Sequence, residues 1–454
     1  MNSKKRTVVT SKSIETEQIE LQNAVTMALD YAKTLGTSAA EMAISKQHGL
    51  SVATRQKQVE TVEFNKDGAL GITVYRNGCK GSSSTSDLSA EAIKQAVKAA
   101  DSIAKLTSED TFNGLADKEL MATELPDLQL YHPQELEPEQ LVTMAIEAET
   151  GLLDFGGAIK ASDGASVNAH TGIRVYGNSH GFIGSTNSSR YSLSCVGIGE
   201  DSKGMQRDYE YTVARRFSDL ESASTIGQKA AKKTVSRLGA KKIATTKLPV
   251  ILSPEIATGL IGHFVGAISG SSLYRKSTFL LDSLGTQVFP EWFSIHEQPH
   301  LIGGLASANF DSEGVATTER HIVDNGILSS YLMTSYSARK LNMQTTGHAG
   351  GIYNWTLSHT GQTFDELVKQ MSTGLIVTEV MGQGVNPVTG DYSRGAAGFY
   401  VENGIIQYPV EEITIAGNLK EMYSSIQAVA KDRDMRSSIR TGAILLDALQ
   451  IAGN

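Results

Sequence analysis

Cysteine is nearly absent from this chain, at two of 454 residues, Cys79 and Cys195. No disulfide framework can hold such a fold, and the cytoplasm is the expected compartment. Proline is also scarce, at 9 residues, against 43 glycines, which points to many turns and few broken elements. No run of basic residues stands out, and the formal net charge is −8. Phosphate backbones need a basic surface, so nucleic acid is not an expected partner. Uninterrupted apolar stretches of membrane-spanning length are missing, so a membrane is not expected either. The start, MNSKKRTVVTSKSIETEQ, is basic but reaches no apolar core, which argues against a secretory signal.

What is present describes a globular protein, 40% apolar and 20% charged, of about two or three domains. Leu21, Val25, Ala28, Ala32 and Leu35 form an amphipathic stripe that ends at Gly36, a C-cap. Alternation over Ala69–Tyr75 and the pair Asn77-Gly78 predict a β-hairpin. Ser89 then caps a helix carrying Ile93, Val97, Ala100 and Ala104 on one face. A third helix near Glu139–Gly151, strands near Ile159–Val167 and a helix near Leu220–Leu238 repeat that order. Gly71–Asn77 (GITVYRN) also resembles Gly172–Asn178 (GIRVYGN), which would make Tyr75 equivalent to Tyr176 and Asn77 to Asn178. A duplicated unit follows from the two signals together.

The expected fold class is α+β: duplicated N-terminal helix–sheet–helix units, then a β-rich, curled or barrel-like C-terminal domain. The expected bounds are a flexible N-terminus at 1–14, repeats at 15–110 and 111–240, and the C-terminal domain at 241–454. Within the last, Leu248–Leu252 reads as a strand, and Ser253-Pro254-Glu255 as a helix start with proline at N1. Asn325-Gly326 and Asn403-Gly404 mark hairpins, and Thr363 caps a helix over Phe364, Leu367, Val368 and Met371.

Several constellations bear on chemistry. His296-Glu297-Gln298-Pro299-His300 matches the H-E-x-x-H zinc pattern in letters. Pro299 breaks the helix that would aim both imidazoles at one ion, so an extended loop with two surface histidines is expected. An autonomous zinc peptidase would need this pair plus a distant ligand such as His321. His263 reads as a core or interface histidine and Cys79 as structural or incidental. His348, among Gly347, Gly350 and Gly351, reads as a loop residue that either touches a peptide or plays a plain surface role. Thr389–Gly404 (TGDYSRGAAGFYVENG) is dense in glycine, which suits either tight turns on a sheet edge or a close approach by another chain. Its Asp391 and Arg394 are candidates to pair with each other or to contact a partner or peptide.

Thr389–Gly404 closely resembles the C-terminal signature of the PmbA/TldE family, the partner subunit of the TldD metallopeptidase. Asp311–Gly314 (DSEG), Thr334–Arg339 (TSYSAR), Thr346–Gly351 (TGHAGG), Met381–Gly384 (MGQG) and Ile413–Leu419 (ITIAGNL) continue the likeness in order. In the TldD subunit, an H-E-x-x-x-H helix and a C-terminal cysteine supply the zinc ligands. The resemblance places the equivalent helix at 253–268, with Ser253 and Thr258 at the histidine positions and Pro254 at the catalytic glutamate. Glu255 lies one position off, and no cysteine follows Cys195. It implies a chain with no catalytic or metal-ligating residue of its own, binding no cofactor, beside a TldD-like subunit that holds zinc. The implied substrates are unfolded peptides, including modified peptide precursors and antitoxin-like proteins, and a role in modulating DNA gyrase would be indirect. Homodimerisation without the partner stays open, as does a purely non-enzymatic adaptor.

Overall fold

The computed structural model describes residues 14–453; the expected flexible N-terminus lies outside these residues except for Ile14, which opens the first helix. The N-terminal elements are α1 (Ile14–Thr34), β1 (Ala39–Arg55), β2 (Gln58–Arg76), β3 (Cys79–Thr85) and α2 (Ala90–Ala104). They are followed by α3 (Pro138–Leu153), β4 (Ile159–Asn178), β5 (Ile183–Asp201), β6 (Gly204–Ala214) and α4 (Ala223–Ser236). Helix, three strands and helix therefore occur twice in succession. The strands form one sheet in the order β3-β2-β1-β4-β5-β6.

The local signals act as their chemistry requires. Gly36 ends α1 at φ +73°, and the Asn77-Gly78 turn takes φ +49° and +87°, values that suit Asn and Gly. Ser89 accepts from the Ala92 N–H at the start of α2. Leu21, Val25 and Ala28 of α1 and Ile93 and Val97 of α2 share a core with Ile72 and Val74. Leu141 and Ala148 of α3 and Ile226 and Ala230 of α4 share another with Val167 and Leu193. Cys79 and Cys195 are both free. Burial pushes the Cys195 thiol up to about 12.

The chain divides into two compact units. One holds the stretch up to residue 47 with 66–121 and 172–187, and the other holds 48–65, 122–171 and 188 onward. The equivalence expected between Gly71–Asn77 and Gly172–Asn178 does not match the order of elements. The first string lies on β2 and its turn, the second on β4, respectively the second strand of one set and the first of the next. Both strands neighbour β1, and Tyr75 and Tyr176 donate to opposite carboxylate oxygens of its Glu41, at 2.7 and 2.9 Å. The shared letters thus reflect a shared neighbour.

The C-terminal elements begin with β7 (Thr246–Leu252), α5 (Pro254–Ala267), α6 (Gly270–Tyr274), β8 (Ile295–Glu297), β9 (Arg320–Asp324) and β10 (Ile327–Leu328). Next come α7 (Ser335–Lys340), β11 (Trp355–Leu357), α8 (Phe364–Met371), β12 (Gly374–Met381), β13 (Asp391–Glu402) and β14 (Ile405–Asn418). The last are α9 (Leu419–Ser424), β15 (Ile426–Val429), β16 (Ile439–Arg440) and β17 (Ile444–Ala452). One sheet has the order β10-β9-β8-β11-β16. The other runs β14-β13-β12-β7-β17-β15, and a further pairing of β14 with β17 closes β14, β13, β12, β7 and β17 into a barrel. The fold is therefore α+β with a closed five-stranded barrel in its C-terminal region. Alternation assigns the two faces: Val250 and Leu252 of β7 pack in the core of α5, whereas Ile251 packs with Leu367, Val368 and Met371 of α8.

The glycine-dense signature is strand rather than edge turns. β13 lies between β12 and β14 and carries Gly395 and Gly398, while Gly390 and Gly404, in the turns that flank it, take positive φ, +83° and +72°. Gly398 serves close approach, because a Cβ there would sit 1.8 Å from the Ile376 carbonyl oxygen. Gly395 meets nothing nearer than Met381 Cβ at 3.5 Å, an ordinary contact. Gly398→Ala should therefore cost about 1–3 kcal/mol or more, while Gly395→Ala should cost well under that. Urea denaturation of both variants checks this, and equal midpoints would refute the close-approach argument.

Candidate functional site

The start of α5 is built by β7, which delivers Ser253 at the N-cap and Pro254 at N1. The Ser253 N–H donates to the Val377 carbonyl at 2.9 Å, and the Ser253 carbonyl accepts from the Ala257 N–H at 2.8 Å. Its hydroxyl makes no capping bond and is buried without a partner. The Thr258 hydroxyl is turned back onto the Pro254 carbonyl at 3.0 Å. Two hydroxyls and a prolyl ring supply none of the imidazole, thiolate or carboxylate donors that a zinc ion takes. Among the described residues, no group of three or more His, Cys, Asp and Glu side chains is disposed to hold a metal ion.

Charge pairing occupies this region. Arg436 donates to Asp434 at 2.7 Å, Glu255 at 3.1 Å and the Tyr211 carbonyl at 2.8 Å, and also to Glu210. Its guanidinium lies 4.2 Å from the Tyr211 ring centroid, a cation–π contact. Lys233 reaches Glu210 at 2.9 Å and Glu255 at 3.5 Å. Burial opposes the charge on Arg436, yet Asp434 and Glu210 outweigh it and raise its pKa. The carboxyls of Glu210 and Asp434, despite burial that pushes them up, are held below the ordinary range by the cations and backbone N–H groups around them. A cavity of about 390 Å³ opens beside the network, lined by Ser253, Ile256, Lys233, Arg237, Glu379 and Phe399 among others.

A second polar cluster is fully enclosed. Glu297, on β8, is 0% exposed. It accepts from His348 Nε2 at 2.9 and 3.1 Å, Trp355 Nε1 at 2.8 Å and the Tyr353 N–H at 3.1 Å. Asp311 accepts the N–H groups of Glu313, Val315 and Ala349 at 2.8, 3.0 and 2.9 Å. Burial and the nearby Glu313 push its carboxyl up to about 7, against the pull of those three donors.

The residues singled out in the sequence fall in different places. His348 is not on a flexible surface loop: its side chain is 1% exposed, since Thr346 holds Nδ1 at 2.8 Å and Glu297 holds Nε2. Asp391 and Arg394 do not pair with each other, because residues three apart on a strand project to opposite faces. Asp391 accepts from Thr389 and Asn418 at 2.6 and 3.2 Å. Arg394 donates Nε to the Met381 carbonyl at 3.1 Å. His263 is half-buried and lies edge-on to Tyr392, ring centroids 6.0 Å apart. His296 and Glu297 occupy β8, so alternation sends them to opposite sides; His296 pairs with Glu319 at 2.8 Å and stacks on His321. His300 lies beyond the strand, 3.0 Å from the Thr317 hydroxyl. Arg436, Lys233, Glu210 and Asp434 escaped the sequence reading; the charge-dense run Lys431–Arg436 (KDRDMR) was the available signal.

The chain thus combines a duplicated helix, three-strand, helix order with a closed five-stranded barrel. The family descriptions PmbA/TldA metallopeptidase domain 1, central domain and C-terminal domain match residues 40–104, 131–238 and 245–453. The chain belongs to the PmbA/TldA metallopeptidase family. The metalloprotease PmbA homolog of Haemophilus influenzae is 56% identical, covering 97% of this chain and 98% of that relative. Metalloprotease PmbA of Escherichia coli O157:H7 is 53% identical, also covering 97% and 98%. A solved structure from Bacteroides thetaiotaomicron, described as a proposed modulator of DNA gyrase, superposes with a TM-score of 0.91 at 28% identity, covering 96% and 99%.

Arg436→Ala leaves Asp434 without its cation and Glu210 and Glu255 with Lys233 alone, and should cost about 1.5–3 kcal/mol. Glu210 and Asp434 have depressed folded-state pKa values, so the stability they add is present above the ordinary carboxylate range and is lost as pH falls through the folded values. Without Arg436 the folded values rise toward or above the ordinary range, so the stability lost on acidification should shrink. Denaturant titrations of both proteins across the acid range check this, and superimposable pH profiles would contradict it.

Proposed function

We propose that this chain is the non-catalytic PmbA/TldE-type subunit of a heteromeric zinc metallopeptidase. The observation that carries the reading is the donor set at the start of α5, where the resemblance aligns Ser253, Pro254 and Thr258 with the zinc ligands and the water-activating glutamate of TldD. A hydroxyl already bound to a carbonyl and a residue with no side-chain donor cannot take those roles. The TldD-like partner supplies zinc, its ligands and the general base. This chain helps to enclose an extended, unstructured peptide, with Asp391 and Arg394 on β13 as contacts for partner or peptide. Arg394 commits Nε to the Met381 carbonyl, which leaves its terminal nitrogens for a carbonyl or carboxylate. Substrates in this reading are peptide precursors and antitoxin-like proteins, and the compartment is the cytoplasm. The rival zinc site at His296 and His300 is disfavoured by their separate partners, Glu319 and Thr317.

Co-expression with the cognate TldD-like protein tests the proposal. The two chains should co-elute in size exclusion and cleave an unfolded peptide together, with neither active alone. Arg394→Ala should raise the dissociation constant of the complex or the KM for peptide about tenfold to a hundredfold, as expected when a hydrogen bond to a charged group is lost. Cleavage by this chain alone would overturn the assignment, and unchanged constants would remove Arg394 from it.

A further inference from the structure

A second cavity, of about 340 Å³, differs in charge from the one beside α5. It is lined by Arg215, Arg216 and Arg440, with His132, Ile302 and Leu305 among its other walls. Arg215 follows β6 and donates to three backbone carbonyls: Ser189 at 3.0 Å, Leu305 at 2.8 Å and Gly304 at 3.4 Å. Its Nε is buried with no partner. Arg440, on β16, makes one long bond, 3.5 Å to Asn354 Oδ1, and its Nε is likewise buried and unpartnered. Among the described residues, none of the three arginines forms an ion pair with a carboxylate. One acid, Asp219, joins the lining; it is exposed and accepts from the Ser218 hydroxyl.

The contrast with Arg436 is informative. There, neighbouring carboxylates raise the guanidinium's pKa. At Arg215, burial with a smaller push from Arg190 lowers it to about 10, and at Arg440 burial alone lowers it. Holding desolvated guanidinium groups together without a counter-charge is unfavourable. An acidic protein has no shortage of carboxylates with which to neutralise them, so their isolation selects for an anion from outside. The planar fork of arginine suits a carboxylate, which accepts two N–H groups side by side. Ile302, Leu305 and Met435 supply apolar wall for the carbon skeleton next to that group.

We propose that the Arg215–Arg216–Arg440 cavity binds a carboxylate of the peptide substrate, either its C-terminal α-carboxylate or an acidic side chain, and so fixes where the peptide is held. The carboxylate chemistry follows from the arginines; its assignment to a peptide rests on the function proposed above. The site itself needs no catalysis, so binding to the purified full-length chain is measured directly.

The probes are unstructured peptides carrying an N-terminal fluorophore, in three forms: free C-terminus, C-terminal amide, and free C-terminus with every Asp and Glu replaced by Asn and Gln. Fluorescence anisotropy should show binding of the first form. Either amidation or removal of the acidic side chains should weaken it about tenfold to a hundredfold, and which of the two does so identifies the source of the carboxylate. Arg440→Gln and Arg216→Gln should weaken binding comparably and flatten its dependence on salt. Arg440→Gln should not lower the melting temperature, since it removes an unpaired charge, and this keeps the test clear of misfolding. No binding by any peptide, equal affinity for all three forms, or unchanged affinity in both variants would overturn the site. Binding that follows the expected pattern, without cleavage when the TldD-like partner is added, would retain the site and refute the proposed function.

Discussion

The charge on Arg436 fixes how the start of α5 is built. Its guanidinium gathers Glu210 and the Tyr211 carbonyl of β6, Glu255 of α5 and Asp434 of the segment before β16. Three stretches of chain far apart in sequence thus meet on one cation, and Lys233 of α4 adds a second. A buried ion pair is a poor source of stability in itself but a strong constraint on geometry, since removing one member strands the others. Glu255 is committed to the cations of Arg436 and Lys233 and so helps to hold the start of α5 in place.

The signature strings have a structural explanation of the same kind. Glu297 carries no exposed surface and is satisfied by His348, Tyr353 and Trp355. Asp311 closes the DSEG turn through the N–H groups of Glu313 and Val315 and ties it to Ala349 of the TGHAGG string. Each buried carboxylate requires several donors at fixed positions, and His348 and Ala349 of the TGHAGG string and Glu313 of the DSEG turn supply three of them. The letters H-E-x-x-H arise from this need: the glutamate is a packing centre, and the histidines beside it serve other partners.

Much of the fold was legible because local chemistry and final structure agree. The α1 stripe, the Asn-Gly turns, the Thr363 cap and the strand before Ser253 all follow from short-range rules, and the run of strands and glycine turns pointed to a curled or barrel-like sheet. Two readings fell short for one reason, that sequence does not show what lies across a sheet. Gly71–Asn77 and Gly172–Asn178 look like repeats because both flank β1 and its Glu41. The Thr389–Gly404 glycines suited turns or a close approach without showing which residue did which: Gly390 and Gly404 turn, whereas Gly398 faces the backbone of β12. At the candidate site, Ser253, Pro254 and Thr258 were found through a resemblance. Arg436 was not, because its bonds to Glu210 and Tyr211 join residues 226 and 225 apart and leave no periodic trace; Arg215 and Arg440 were not, because a single arginine carries no local signal of its burial.

The proposed function requires that this chain retain no zinc without a partner. The direct measurement is a zinc titration of the purified, chelator-treated full-length chain, followed by dialysis and metal analysis, with the His296→Ala/His300→Ala double variant alongside. The account predicts no stoichiometric zinc in either protein. A full equivalent retained by the unaltered chain and lost from the double variant would contradict it and make this chain a zinc peptidase in its own right.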